Sequence, residues 1–217
     1  MDTENRTVEE ARDFTAFIVE TQCPYAVRSS LKILNPGRGE LGSHHWPWVV
    51  ARLGEYCDDL NSGTGGHKDG VVVPLPDEDE PTIDRLVHHM RSLVHSVALA
   101  DDREIEWPQI GTPPWQFAFR QIQFFVITLS PVYPDSHPRR ISGRTSYFVL
   151  QPQSSFQEHL PRELYGAESR DRIKARIRAA FTRGGKPYNG TDERPRIEAA
   201  RYISALNAAE PGLEWWR

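Results

Sequence analysis

Cysteine is scarce in this chain: 217 residues contain two, Cys23 and Cys57. They form no CxxC pair, so they cannot build a thiolate zinc site by themselves. The opening MDTENRTVEEARDF is too polar for a secretory signal and lacks the arginine bias of a transit peptide. Two reduced thiols in a cytoplasmic protein are therefore expected. Long apolar runs are missing as well; none approaches the roughly 18 residues that a membrane helix needs. There is no excess of basic charge, since 26 basic and 30 acidic residues leave a net charge of −4. That balance gives no global attraction to nucleic acid or to an anionic membrane. HExxH is absent, and NSGTGGHKDG has neither GxGxxG nor the Lys-Ser/Thr ending of a phosphate loop. No zinc hydrolase is indicated, and that segment does not read as a nucleotide cradle.

What is present is an ordinary globular composition, 38% hydrophobic and 26% charged, of a length that suits one domain over 1–217. Six Trp, seven Tyr and nine Phe supply flat apolar surface, and 17 prolines imply many connecting segments. Helical spacing predicts helices over Val8–Val19, from Ser43 through Leu60, over Thr82–Leu99, over Arg162–Phe181 and over Arg196–Leu206. Short strands are expected at Ser30–Leu34 and GVVVPLP. The strongest strand candidates are FAFRQIQFFVITLSP and RTSYFVLQP, joined by VYPDSHPRRISG. The fold class expected is α+β: a small, mainly antiparallel sheet with an aromatic hairpin in the carboxy-terminal half, packed by helices.

Candidate chemistry starts from the thiols and the eight histidines. Cys57, on a predicted amphipathic helix, reads as a small buried hydrophobe. Cys23 sits in the tighter context TQCPYAVRSS, where Pro24 removes a backbone donor. His88 and His95 are seven apart on one helix and face the same side, as two ligands or as one core and one solvated histidine. Trp215 and Trp216 either tuck against the core or bind a partner protein. Pattern alone names no activity.

Several phrases taken in order resemble the YqcI/YcgG family. TQCPYAVRSS keeps Cys23 and Ala26 of a Phe-Pro-Cys-x-x-Ala phrase. MRSLVHSVALADDREIEWP supplies His95, Asp102, Trp107 and Pro108, and FAFRQIQFFVI supplies Phe117, Phe119, Phe124, Phe125 and Val126. SPVYPDSHPRR carries the paired Arg139 and Arg140, LQPQSSF carries Pro152 and Phe156, and IEAARYIS carries Glu198, Arg201 and Tyr202. The chain departs at Leu129-Ser130-Pro131, where many members have Leu-His-Pro, and at Gln151-Pro152-Gln153, where they have Asn-Pro-His.

The resemblance implies haem chemistry: a haem-dependent oxygenase that hydroxylates a nitrogen of a small amine or guanidine, arginine-like, in natural-product biosynthesis. It implies haem b as cofactor, O₂ as co-substrate, a separate reductase as electron donor and a small nitrogenous substrate, and leaves room for a homodimer. Under that implication His95 and Cys23 are the two candidate iron ligands, a neutral imidazole or a thiolate. Arg139, Arg140 and Arg144 are candidates for the propionates. Phe117 and Phe125 are candidates for the pocket wall, although an ordinary core strand accounts for them equally well. Glu40, Asp102 and Glu198 are the carboxylates available to hold a cationic substrate, and Glu198 is also placed to pair with Arg201 one helical turn on. Two other readings stay open: a haem protein without turnover, and a haem-free interaction domain.

Overall fold

The computed structural model describes residues 14, 17–18, 30–34, 45–63, 69–76, 81–155, 167–187 and 197–217. Its centre is a five-stranded sheet in the order β1-β2-β5-β4-β3, built from Leu31–Ile33 (β1), Gly70–Pro74 (β2), Ala118–Phe119 (β3), Ile122–Leu129 (β4) and Tyr147–Pro152 (β5). Only β1 and β2 run parallel; every other pairing is antiparallel, so the expected α+β class holds. The parallel pair is spanned by helix α1 (His45–Ser62), as a parallel crossover requires. β2 is buried at all five positions, which is why GVVVP reads as an unbroken β-branched run.

Side chains alternate across β2, β4 and β5 and divide the interior into two layers. Val71, Val73, Phe124, Val126, Phe148 and Leu150 face the main core, with the apolar stripes of α1 and of α2 (Ile83–Ala100). Val72, Leu129, Tyr147 and Val149 face a smaller second layer that includes the buried Phe14. The α2 stripe runs Leu86, His89, Met90, Leu93, Val94, Val97, Ala98. Helical spacing predicts it, and Thr82 caps the helix by accepting the Arg85 N–H at 3.3 Å. Each large apolar side chain buried this way contributes about 1.5–3 kcal/mol.

Three segments differ from the sequence expectation. The run from Phe117 to Pro131 is two strands, because the chain reverses at Arg120 and Gln121, both with positive φ (46° and 66°). The Pro-rich connection contains a short helix, α3 (Trp107–Ile110). The expected last helix is reduced to a 3₁₀ turn, Glu198–Arg201. Its carbonyls are claimed from outside: the Arg139 guanidinium donates to Arg201 O at 2.6 Å and to Tyr202 O at 2.9 Å, and the Thr128 N–H takes Tyr202 O at 3.1 Å. The charged helix is present as α4 (Ala167–Arg183); Arg162 to Gly166 lie outside the described residues. Among the described residues, no helix is long and apolar enough to cross a membrane.

Candidate functional site: a buried histidine–aromatic cluster

Two helix starts meet the end of the sheet where β2 finishes and β5 begins. His45 opens the α1 stripe that continues through Val49, Leu53 and Tyr56, and His89 lies in the second turn of α2 on its core side. Both are in positions that helical spacing sends inward, and both are buried. Trp46 joins them: its ring lies 4.8 Å from that of His45, edge-on, and 5.8 Å from that of His89. Phe148 of β5 stacks on Trp46 at 6.2 Å and is the register partner of Thr128.

This corner is dry and polar at once. The His45 side chain has no exposed surface, and among the described residues neither its Nδ1 nor its Nε2 has a hydrogen-bond partner; the Thr128 hydroxyl is likewise buried and without a partner among them. Each unmet polar atom costs ~1–3 kcal/mol. Burial, reinforced by the neighbouring His89, holds the His45 pKa at about 4. The ring is therefore a neutral imidazole with an unused lone pair. A cavity of about 10 Å³, room for one water, opens beside His89 beneath Arg144, Ser146 and Thr82.

The loop between β4 and β5 closes the same end. Ser130 bonds Ser146 (Oγ to Oγ, 2.8 Å) and its N–H donates to Arg139 O at 3.1 Å. His137 is buried with its ring stacked on Tyr133 at 4.3 Å, and its Nδ1 accepts the Arg139 N–H at 3.0 Å. Burial, then the Arg139 charge, holds this histidine near a pKa of 4, against an opposing bond to the Ala205 backbone. The Tyr133 hydroxyl accepts the Ser204 N–H at 3.2 Å and is pushed upward by its burial.

The residues singled out from sequence are dispersed around this corner. His95, with His88, lies on the exposed face of α2. Asp102 is exposed just beyond the helix end, thirteen residues from His89, which is about 20 Å along the axis. Glu198 is half-buried and pairs with Arg201 at 3.5 Å. Arg139 is spent on the 3₁₀ turn, and Arg140 binds Asp135 at 3.1 Å and the Pro131 carbonyl. Arg144 is exposed at the cavity mouth, with no hydrogen bond or ion pair among the described residues. Phe117 sits in the main core against Phe124, at 6.1 Å, whereas Phe125 points through the opposite face of β4, so the two do not wall one pocket. Cys23 and Glu40 lie outside the described residues. Cys57 is buried, its thiol pushed up to about 12 chiefly by burial and placed to donate to Phe119 O, which makes it the inert core thiol expected.

A second cavity of about 220 Å³ lies at the other half of α2, between Val94, Val97, Ala98 and the segment carrying Trp115 and Phe117. Small-molecule pockets commonly hold about 300–1,000 Å³. Among the described residues there is no group of three or more metal-ligating side chains. A macrocyclic cofactor is therefore not walled by the described residues alone. His45, with no exposed surface, lines neither cavity, so the described residues do not present an imidazole to a macrocycle.

The histidine–aromatic cluster, which the sequence reading did not single out, was nonetheless marked in the sequence. His45 stands four residues before Val49 and His89 three after Leu86, each on an apolar stripe. Comparison with known proteins finds no matching curated protein and no matching solved structure. A family model does match, over residues 28–202, from just before β1 to Tyr202. Since this span includes the whole sheet and the cluster at its end, the chain belongs to the YqcI/YcgG family.

Proposed function

We propose that this protein is a haem-dependent oxygenase acting on a nitrogen of a small amine or guanidine. The observation that carries the reading is the buried pair His45 and His89 packed against Trp46, which stacks on Phe148, within a chain of this family. Haem, when bound, supplies the O₂ activation. One oxygen atom enters a substrate N–H bond and the other leaves as water, with two electrons and two protons drawn from a separate reductase. What the chain's own residues contribute around His45 is a buried surround that disfavours a charge on that ring. Arg144, exposed beside the cavity, is the guanidinium available to an incoming carboxylate. The compartment proposed is the cytoplasm.

One observation favours a second reading, a haem protein without turnover. Of the three candidate carboxylates, Glu198 is already paired with Arg201, and Asp102 lies about 20 Å along α2 from His89. Neither is gathered at the histidine corner to hold a cationic substrate. Titration of the purified protein with hemin tests both readings: a Soret band saturating at one equivalent is expected. Oxygen uptake with a chemical reductant and a panel of amines and guanidines then separates them. A product heavier by one oxygen supports the enzyme, and its absence across the panel supports the non-catalytic protein.

A further inference from the structure

We infer that the cavity of about 220 Å³ against the carboxy-terminal half of α2 is a binding site for a small organic cation with an ammonium or guanidinium head. The inference goes beyond the functional reading: it concerns the opposite half of α2 from the histidine corner and needs no haem. The cavity has an apolar floor and a charged rim. Val97, Ala98 and Phe117, all buried, form the floor, and Glu104 and Glu106, both exposed, stand on the rim. Among the described residues a single cation, Arg103, lines it, and that guanidinium is already matched. It binds the Asp101 carboxylate at 2.9 and 3.2 Å and donates to Ala118 O at 3.1 Å. The two glutamates have no such counter-charge. Among the described residues Glu106 accepts the neutral Gln109 amide, and Glu104 has no hydrogen bond or ion pair.

Trp115 is the third component. Its half-buried ring lines the cavity and packs against Tyr202 at 6.1 Å and Trp215 at 6.4 Å. Its backbone N–H donates to Thr112 O at 2.9 Å, and the Phe117 N–H donates to the Tyr202 hydroxyl at 2.9 Å. This wall is therefore in place before a ligand arrives. An indole ring attracts a cation, and carboxylates hold ammonium or guanidinium by charge-assisted hydrogen bonds. An anion would meet two like charges here. A neutral apolar molecule would strip water from the carboxylates and return nothing for it. The volume is below the roughly 300–1,000 Å³ of drug-sized pockets, which limits the ligand to a short chain behind its charged head.

The test titrates the full chain, with no haem added, with n-butylguanidinium, n-butylammonium and the neutral isostere n-butylurea. Binding is read by isothermal calorimetry and tryptophan fluorescence. Both cations are expected to bind at least ~10-fold more tightly than the urea, and less tightly as salt rises. Glu104→Gln and Glu106→Gln, both at exposed positions, are each expected to weaken the cations about three-fold, as for a solvent-accessible ion pair, and to leave the urea unchanged. Ala98→Leu, which fills the cavity, is expected to bind none of the three, its fold being checked by circular dichroism and thermal melting. Cations that do not bind, or that bind no better than the urea, overturn the inference. So does a folded Glu104→Gln/Glu106→Gln double variant, or a folded Ala98→Leu, that binds the cations as wild type does. Failure here leaves the haem reading standing, and a failed hemin titration leaves this inference standing, because neither test uses the other's ligand.

Discussion

At His137 the protonation state is fixed by geometry. Its Nδ1 is an acceptor, its ring lies flat on Tyr133, and its pKa is lowered from 6.5 to about 4, first by burial and then by Arg139. A depressed histidine means that the unfolded chain binds the proton more readily than the folded one. The stabilisation is whole above pH 6.5 and is lost as pH falls from there towards 4, where the folded state protonates too. The shift corresponds to about 3 kcal/mol, and His45, also near 4, adds to the same window. Urea midpoints are expected to fall steadily across this range, and His137→Gln is expected to flatten the slope; a flat wild-type profile would contradict the assignment. None of this was legible in the sequence, where HPRR reads as a solvated loop. Burial of that loop depends on Arg139 reaching the carbonyls of residues 201 and 202, more than sixty positions away.

The elements divide by how local their signals are. Helix α2 was readable because its stripe and its Thr82 cap lie within one stretch of sequence. The β3–β4 reversal was hidden because Arg120-Gln121 carries none of the Asn-Gly signature that positive φ at both central turn positions favours. Tertiary contacts hold it instead: Arg120 Nη1 donates to Gly54 O at 3.1 Å and pairs with Asp58, clamping the turn to α1. Gln121 is exposed in the left-handed region, so Gln121→Gly should relieve up to about 1 kcal/mol. The expected result is a higher urea midpoint at unchanged slope. A lower midpoint would show that the turn does not carry this strain. The expected helix over 196–206 failed for the complementary reason, since its last carbonyls are bound by distant donors before a helix can use them.

Across the whole molecule, the carboxy-terminal segment completes the main core. Trp215 is 2% exposed, stacks on Tyr202 at 6.1 Å and donates its indole N–H to Ala199 O at 2.7 Å. Tyr202 in turn accepts the Phe117 N–H at 2.9 Å. The approach is so close that a Cβ at Gly212 would lie 1.5 Å from the Ala200 carbonyl oxygen, and one at Gly111 would lie 2.6 Å from Trp216 Nε1. Trp215→Ala should cost about 3–5 kcal/mol, and Gly212→Ala should also lower the melting temperature, because the obstructing atom is backbone and cannot swing away. A Gly212→Ala melt equal to wild type would contradict this packing. Sequence composition suggested that the tryptophans tuck inward, but their partners, spread from residue 111 to 202, could not be read from it. The position of β5 has a consequence of its own. Flanked by β2 and β4 and covered on both faces, it is the strand furthest from any edge. In heavy water its amides, with Phe148 and Leu150 foremost, should be the last in the molecule to take up deuterium, opening only when the entire chain unfolds.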